Sequence, residues 1–202
     1  MKIPVEKIRL REFQQLSWHD PRQVLINFRA LELSLPSGME EKIRRLRTNE
    51  LKNWREARDA ALFVFGISDQ VLKIPMFVAK SEKSDYDAVM KWIKGEEEFY
   101  YPVQLKELPP DDLNLEIALD DIYAKLEKYS GTSDLAVAIK VNRRMTLNYK
   151  PWYGENKPRV KEIWLFGCVS ADQSKWFIYG DVLKNNPRYR EFNYPDGQPN
   201  IT

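Results

Sequence analysis

An unbroken apolar run at residues 135–139, Leu-Ala-Val-Ala-Ile, constrains the fold of this chain more than any other segment. A strand with one solvated face alternates apolar and polar side chains, whereas an unbroken apolar run is typical of a strand covered on both faces. Helices are therefore expected to flank the sheet that contains it. The sequence predicts an α/β (α+β) fold built around a mixed β-sheet.

Three strand candidates precede this run. Residues 74–79 are short and apolar, residues 86–93 alternate, and residues 99–108 are rich in aromatic and β-branched side chains. Residues 94–96, Lys-Gly-Glu, predict a hairpin turn between the second and third strands. Two further strands are predicted after the run, at residues 163–169 and 176–179.

Helical patterns surround these strands. Apolar residues recur at helical spacing from residue 39 to residue 65, either as one helix that stops at Gly66 or as two helices joined near residues 48–49. Another helix is predicted at residues 113–129, where one face carries an apolar stripe. The predicted core order is therefore α-β-β-β-α-β, followed by extra C-terminal strands.

The N-terminal part predicts a helical extension before this core. It holds two short pieces that are either helical or loop, at residues 4–16 and 21–33, and Asp20 is the expected N-cap of the second one. We expect a single domain over residues 1–202, because a chain of this length suits one ordinary domain. Its predicted parts are the extension at 1–47, the core at 48–142, and C-terminal strands with a tail at 143–202.

Composition limits the class of protein. The net charge is only +2 although 31% of the residues are charged, so any basic surface must be local. Cys168 is the only cysteine, which excludes an internal disulfide and suits a reducing compartment. No apolar run approaches the roughly 20 residues of a membrane span. We therefore expect no membrane partner and a cytoplasmic location.

The scarcity of histidine and cysteine, and the lack of a glycine-rich loop, argue against several common enzyme classes. The chain has one histidine, His19, and one cysteine, so a tetrahedral zinc site, histidine general-base catalysis and Cys–His nucleophilic chemistry are poorly supported. It also lacks a glycine-rich phosphate loop, which argues against an NTPase or a dinucleotide enzyme.

Side chains with useful chemistry lie on the second and third predicted strands. Asp87 opens the second strand, and Gln104 and Lys106 share one face of the third because side chains alternate along a strand. If the two strands pair as a hairpin, these three side chains converge on one patch at the end of the sheet. Glu107, although adjacent in sequence, is expected to face away.

The element order, with an aspartate on the second strand and a Gln-x-Lys triplet on the third, resembles the PD-(D/E)xK nuclease superfamily. That superfamily has the restriction-endonuclease-like fold, a mixed sheet flanked by helices. The resemblance covers residues 48–142 and rests on Asp87, Gln104, Leu105 and Lys106. It implies a Mg²⁺-dependent nuclease, active also with Mn²⁺, that hydrolyses phosphodiester bonds, with DNA favoured as the substrate.

The resemblance also implies a role for each residue of the motif. Asp87, the side-chain oxygen of Gln104 and the Leu105 carbonyl would hold the metal ion. Lys106 would orient the attacking water or stabilise charge that develops on the phosphate.

Three further carboxylates are candidates for assisting roles. In the superfamily an acidic residue of the first core helix often joins the site, and Glu56 and Glu50 precede the three strands. We favour Glu56, because its alanine-rich surroundings allow the helix to approach the sheet closely. Exposed helical salt bridges explain both glutamates at least as well. Asp85 is a second possible helper, acting through water.

Gln104 departs from the family pattern, which has Asp or Glu at this position. A neutral amide oxygen can ligate Mg²⁺, but without the charge attraction of a carboxylate, so the affinity for metal should fall. Two hypotheses follow. One is an active nuclease; the alternative is a catalytically weakened nucleic-acid-binding or protein-interaction module on the same fold.

Basic residues interleaved with aromatics follow the buried run. Such mixtures suit phosphate contacts and base stacking, although an ordinary surface loop explains them equally well. A homodimer is compatible with the resemblance, but no segment of the sequence marks a dimer interface. The residues predicted to contact nucleic acid are Arg143, Arg144, Lys150, Trp152, Lys157 and Arg159.

Overall fold

The computed structural model describes residues 5–81, 86–126, 134–146 and 158–197. Within these ranges the helices are α1 (Val5–Gln14), α2 (Pro21–Ser34), α3 (Glu41–Arg44), α4 (Lys52–Gly66) and α5 (Leu119–Ala124), with a π-helix at Ile67–Leu72. The strands are β1 (Met76–Lys80), β2 (Ala88–Lys94), β3 (Glu97–Leu108), β4 (Ala136–Val141), β5 (Glu162–Cys168), β6 (Lys175–Gly180) and β7 (Arg188–Asn193).

These seven strands belong to one mixed sheet, in the order β1 to β7. The β3–β4 and β4–β5 pairs are parallel, whereas the β1–β2, β5–β6 and β6–β7 pairs are antiparallel. The predicted mixed α/β class with a mixed sheet is therefore confirmed. None of the helices in the described residues is long and apolar enough to cross a membrane.

The chain divides into two compact units. The first comprises Met1–Tyr101 and Pro195–Thr202, and the second comprises Pro102–Tyr194. The boundary falls within β3, between Tyr101 and Pro102. The single domain expected from the sequence stays a prediction.

In the first unit, α4 packs on β1 and α2 packs on α4. The C-terminal half of α4 is buried on all sides, because the consecutive residues Ala61, Leu62, Phe63 and Val64 expose no surface. Asp20 caps α2 as predicted: its Oδ1 accepts a hydrogen bond from the Arg22 amide at 2.8 Å. Such a cap contributes about 1 kcal/mol to helix stability.

The single helix over residues 39–65 is wrong, and the alternative of two helices is closer. Between α3 and α4 the backbone turns through Leu46, which has a positive φ of 54°. Two arginines stabilise this break, because Arg44 donates to the Pro36 and Ser37 carbonyls and Arg55 donates to the Leu46 carbonyl. These contacts join residues seven to nine positions apart, so the helical spacing of the apolar residues does not predict them.

The predicted stop at Gly66 is also displaced. The chain continues through Gly66 into the π-helix and ends this stretch at Lys73, which has a left-handed φ of 57°. Ser68 donates to the Ile74 carbonyl at 2.6 Å and holds the end of the turn. The sequence did not predict this π-helix, which is a rare element.

A two-residue turn at Gly95 and Glu96 joins β2 to the start of β3, as predicted. Gly95 has a φ of 64°, a conformation that glycine adopts without the steric cost of a Cβ.

In the second unit, β4 is buried along its whole length between β3 and β5. This confirms the strand expected from the apolar run. The antiparallel strands β6 and β7 follow β5. The sequence did not predict β7, because it carries the charged pattern Arg-Tyr-Arg-Glu and buries only Phe192. Charged side chains are typical of strands at a sheet edge.

The helix predicted at 113–129 begins later than expected, at Leu119. Asn114 accepts hydrogen bonds from the amides of residues 116 and 117, which forms a local turn instead of a helix. Asp121 then accepts from the Ala118 amide at 2.7 Å and starts α5. Leu115, part of the predicted apolar stripe, is 72% exposed.

Candidate functional site

Asp87 lies in the first unit, one residue before β2, and is partly buried. Its backbone carbonyl accepts a hydrogen bond from the Ser81 amide at 3.0 Å. The preceding Tyr86 is buried and packs edge-to-face on Phe13, with ring centres 5.8 Å apart. This packing fixes the backbone from which the Asp87 side chain projects. Asp85 lies outside the described residues.

The two candidate helix glutamates of the first unit have different surroundings. Glu56 lies on α4, is partly buried, and pairs with Lys52 one turn earlier at 3.6 Å. Glu50 lies in the turn before α4, so its expected place on the helix is wrong. Hydrogen bonds from its own backbone amide and then from Thr48 hold the pKa of Glu50 below its usual value. Neither contact distinguishes a catalytic role from a structural one.

Asp59 is a buried carboxylate of α4 that the sequence interpretation did not single out. It is 7% exposed, and Arg58 Nε lies 3.7 Å from its Oδ1. Arg58 also donates to Glu32 at 2.7 Å, which links α4 to α2. The sequence contained a sign of this burial, because Asp59 directly precedes a run of apolar residues. A carboxylate buried beside such a run needs a partner.

Gln104 lies on β3 in the second unit and is 6% exposed. Its Nε2 donates a hydrogen bond to the Leu105 carbonyl at 3.4 Å. The same carbonyl and the Gln104 amide oxygen are the two metal ligands that the resemblance implies for β3. An amide N–H, which carries partial positive charge, is therefore directed at a carbonyl that the resemblance assigns to a cation.

Lys106 is partly buried and shares the Gln104 face of β3. The parallel register sets Lys106 beside Ile139 and Gln104 beside Val137 on β4. Apolar neighbours of this kind lower the local dielectric and strengthen any charge interaction that the lysine makes.

Glu107 follows the alternation predicted for it. It is in register with Lys140, not with the β4 neighbours of the Gln104 face, and its Oε1 accepts a hydrogen bond from Asn142 at 2.9 Å. Lys140 is 4% exposed and its ammonium lies 5.9 Å from the centre of the Trp176 ring. The sequence interpretation missed this buried lysine, although a cation directly after the apolar run was visible.

The ligand atoms that the resemblance implies are of the chemical type that Mg²⁺ prefers. Carboxylate, amide and carbonyl oxygens are the hard ligands that this ion prefers, and Asp87, Gln104 and Leu105 supply one of each. Across the described residues, however, no group of three or more His, Cys, Asp or Glu side chains could hold a metal ion. Of the three implied ligands, only Asp87 carries a formal negative charge.

The residues predicted to contact nucleic acid have different surroundings in the structure. Arg143 donates to the Pro109 carbonyl at 2.7 Å and the Asn114 carbonyl at 2.8 Å, and lies 3.3 Å from the Asp111 carboxylate. Its guanidinium therefore holds the loop before α5 in place. Arg144 is exposed. Arg159 is also exposed, and Lys150, Trp152 and Lys157 lie outside the described residues.

Comparison with protein-family models, curated proteins and solved structures found no match to this chain.

Proposed function

We propose that this protein is a Mg²⁺-dependent nuclease that hydrolyses phosphodiester bonds, with DNA as the favoured substrate. The observation that carries the proposal is the order of the elements together with their chemistry. Helix α4 is followed by β1, β2, β3, α5 and β4, the order that the resemblance implies. Asp87 directly precedes β2, and Gln104 and Lys106 share one face of β3.

Each residue has a definite task in this proposal. Asp87, the Gln104 amide oxygen and the Leu105 carbonyl would hold Mg²⁺, which when bound supplies positive charge to the phosphate under attack. Lys106 donates hydrogen bonds to a phosphate oxygen or to the attacking water and stabilises the negative charge that develops. The apolar side chains of β4 beside Lys106 lower the local dielectric and strengthen the charge interactions that the lysine makes.

The alternative function is a nucleic-acid-binding module with weakened catalysis. The observation that favours it is the buried amide of Gln104, which already forms a hydrogen bond to the Leu105 carbonyl. In metal uptake this amide N–H competes with the cation for the Leu105 carbonyl, and Gln104 adds no carboxylate charge. Calorimetry with Mn²⁺ separates the two functions, because a pure binder takes up no metal through Asp87.

Activity is tested with the variants Asp87→Asn and Lys106→Met on a panel of DNA and RNA substrates in Mg²⁺ or Mn²⁺. Methionine retains most of the lysine stem and removes only the charge. The controls are Asp112→Asn and Lys125→Ala, which alter exposed residues of the second unit. Thermal unfolding of each variant verifies that the protein is folded.

The expected result is a loss of cleavage by at least about a hundredfold in both site variants, as for the removal of one charge-stabilising group in other enzymes. The controls should cleave like the unaltered protein. Equal activity in Lys106→Met and Lys125→Ala would remove the catalytic assignment. Absence of cleavage by the unaltered protein, together with binding of nucleic acid, would favour the alternative.

A further inference from the structure

A cavity of about 720 Å³ opens in the second unit at the carboxyl ends of the parallel strands β4 and β5. Val141 and the residues after it form one wall, and Cys168 and Val169 form another. The volume lies within the range of small-molecule sites, and ligands of α/β sheets commonly bind at the carboxyl ends of the strands.

Aromatic side chains of β6 and β7 form the floor of the cavity. The Phe177 and Tyr189 rings lie nearly parallel, at 17°, with centres 5.5 Å apart, and Tyr179 adjoins them. Gly167 allows this arrangement, because a Cβ there would lie 2.7 Å from the Phe177 ring. The two rings are therefore stacked on each other with an offset, and Tyr189, which is 49% exposed, forms the solvent side of this aromatic floor.

The sheet register connects this floor to the proposed catalytic lysine. Lys106, Ile139, Leu165, Tyr179 and Tyr189 are successive partners across β3 to β7 and so share one face of the sheet. Three strand spacings, about 14 Å, separate β3 from β6.

The charge of the cavity is positive. Among the described residues that line it, Arg143 and Arg144 are cationic and none is acidic. The Glu191 carboxylate, which accepts a hydrogen bond from the Tyr189 hydroxyl, is paired with Lys175. Arg143 is held by two carbonyls and by Asp111, so part of its charge is offset. Arg144 is exposed and forms no ion pair with any residue in the described parts of the chain. Its guanidinium is thus available to an anion.

We propose that this cavity binds one unpaired nucleotide, with the base stacked on the aromatic floor and the phosphate held by Arg144. Stacking on aromatic rings recognises any base by its π-face, and a guanidinium binds phosphate through paired N–H donors. A base inside a duplex cannot enter, because its faces are already stacked. The proposal rests on the nuclease function only for the source of the nucleotide, a substrate strand.

Two probes distinguish the possible sources of the ligand. Binding of dAMP is measured by calorimetry, and binding of a fluorescent oligo(dA) by anisotropy, both in EDTA so that no cleavage occurs. Binding of both probes assigns the cavity to a free or terminal nucleotide, and binding of oligo(dA) alone assigns it to an unpaired nucleotide within a strand. A blunt-ended duplex serves as the paired competitor.

Four variants test the site itself. Arg144→Glu and Tyr189→Ser should weaken binding by at least about tenfold, because each removes one of the two recognition elements. Tyr189→Phe retains the ring and should bind like the unaltered protein. Arg188→Glu is the matched control: it makes the same charge change on an exposed residue next to Tyr189, on the opposite face of β7.

Three outcomes would overturn the proposal: neither probe binds, Arg144→Glu and Arg188→Glu weaken binding equally, or the duplex binds as well as oligo(dA). The cleavage assay on the unaltered protein separates this proposal from the nuclease function. If cleavage is never observed but Arg144-dependent binding of oligo(dA) persists, the nuclease function fails and the nucleotide site stands.

Discussion

Replacing Gln104 by glutamate would give β3 the carboxylate that the nuclease motif usually has at this position. In the absence of metal the change should destabilise the protein. Gln104 is 6% exposed and its amide donates to the Leu105 carbonyl, so the variant loses a hydrogen bond and buries a carboxylate beside a carbonyl. The combined cost is about 2–4 kcal/mol.

Metal should reverse most of this cost if the residue is a ligand. At a free Mg²⁺ concentration of about one hundred times Kd, binding to the folded state adds about 2.7 kcal/mol of stability. One kcal/mol corresponds to roughly 2–4 °C in Tm for a chain of this size. We therefore expect Gln104→Glu to melt well below the unaltered protein in EDTA and to recover several degrees in Mg²⁺.

The dependence on pH provides an internal check. Burial raises the pKa of a carboxyl group above its unfolded value, so the folded variant binds a proton more tightly than the unfolded chain. Its stability without metal is then greatest at low pH and falls as the pH rises through the folded pKa. The Tm deficit in EDTA should be smaller at pH 5 than at pH 8.

The control is Gln23→Glu, which alters a surface residue of α2 paired with Asn27. Its Tm should not respond to Mg²⁺ beyond the general effect of salt. An equal Mg²⁺ response in Gln104→Glu and Gln23→Glu would refute the assignment of Gln104 as a metal ligand.

Two further predictions concern the second unit and are measured by urea unfolding. Arg143→Ala should lower the free energy of unfolding by about 2–3 kcal/mol, because two carbonyls lose their donor, whereas Arg144→Ala should change it by less than about 0.5 kcal/mol. Gly167→Ala should cost about 1–3 kcal/mol, because the new Cβ would lie 2.5 Å from the Val141 carbonyl oxygen. Gly38→Ala has open space and should be neutral. Equal unfolding midpoints within either pair would contradict the packing described for it.

Local patterns predicted those parts of the fold that depend on local or periodic features. The buried strand β4 followed from its apolar run, the hairpin from Gly95, and the α2 cap from Asp20. The mixed sheet followed from the order of strands and helices. Each of these signals lies within a few residues of the element that it predicts.

The failures arose where distant or non-periodic contacts decide the structure. The late start of α5 depends on Asn114 and on Arg143, which donates to that loop from 29 residues away. The charged strand β7 is recognisable only by its pairing with β6. The role of Arg143 as a clamp could not be separated from a nucleic-acid contact by sequence, since both roles use an arginine in a loop.

The candidate site, like the fold, was predicted from sequence only where it depends on local alternation along a strand. Alternation on β3 correctly set Gln104 and Lys106 on one face and Glu107 on the other, in agreement with the register to β4. The hydrogen bond between Gln104 and the Leu105 carbonyl and the burial of Lys140 could not be predicted, because both depend on packing within the sheet.

The central claim is that Asp87 and Lys106 support metal-dependent cleavage. The most direct test is the single-turnover cleavage rate of a labelled DNA strand in Mg²⁺, measured for the unaltered protein and for folded Asp87→Asn and Lys106→Met. We expect cleavage that EDTA abolishes and that each substitution slows by at least about a hundredfold. Cleavage at the same rate in all three proteins would contradict it.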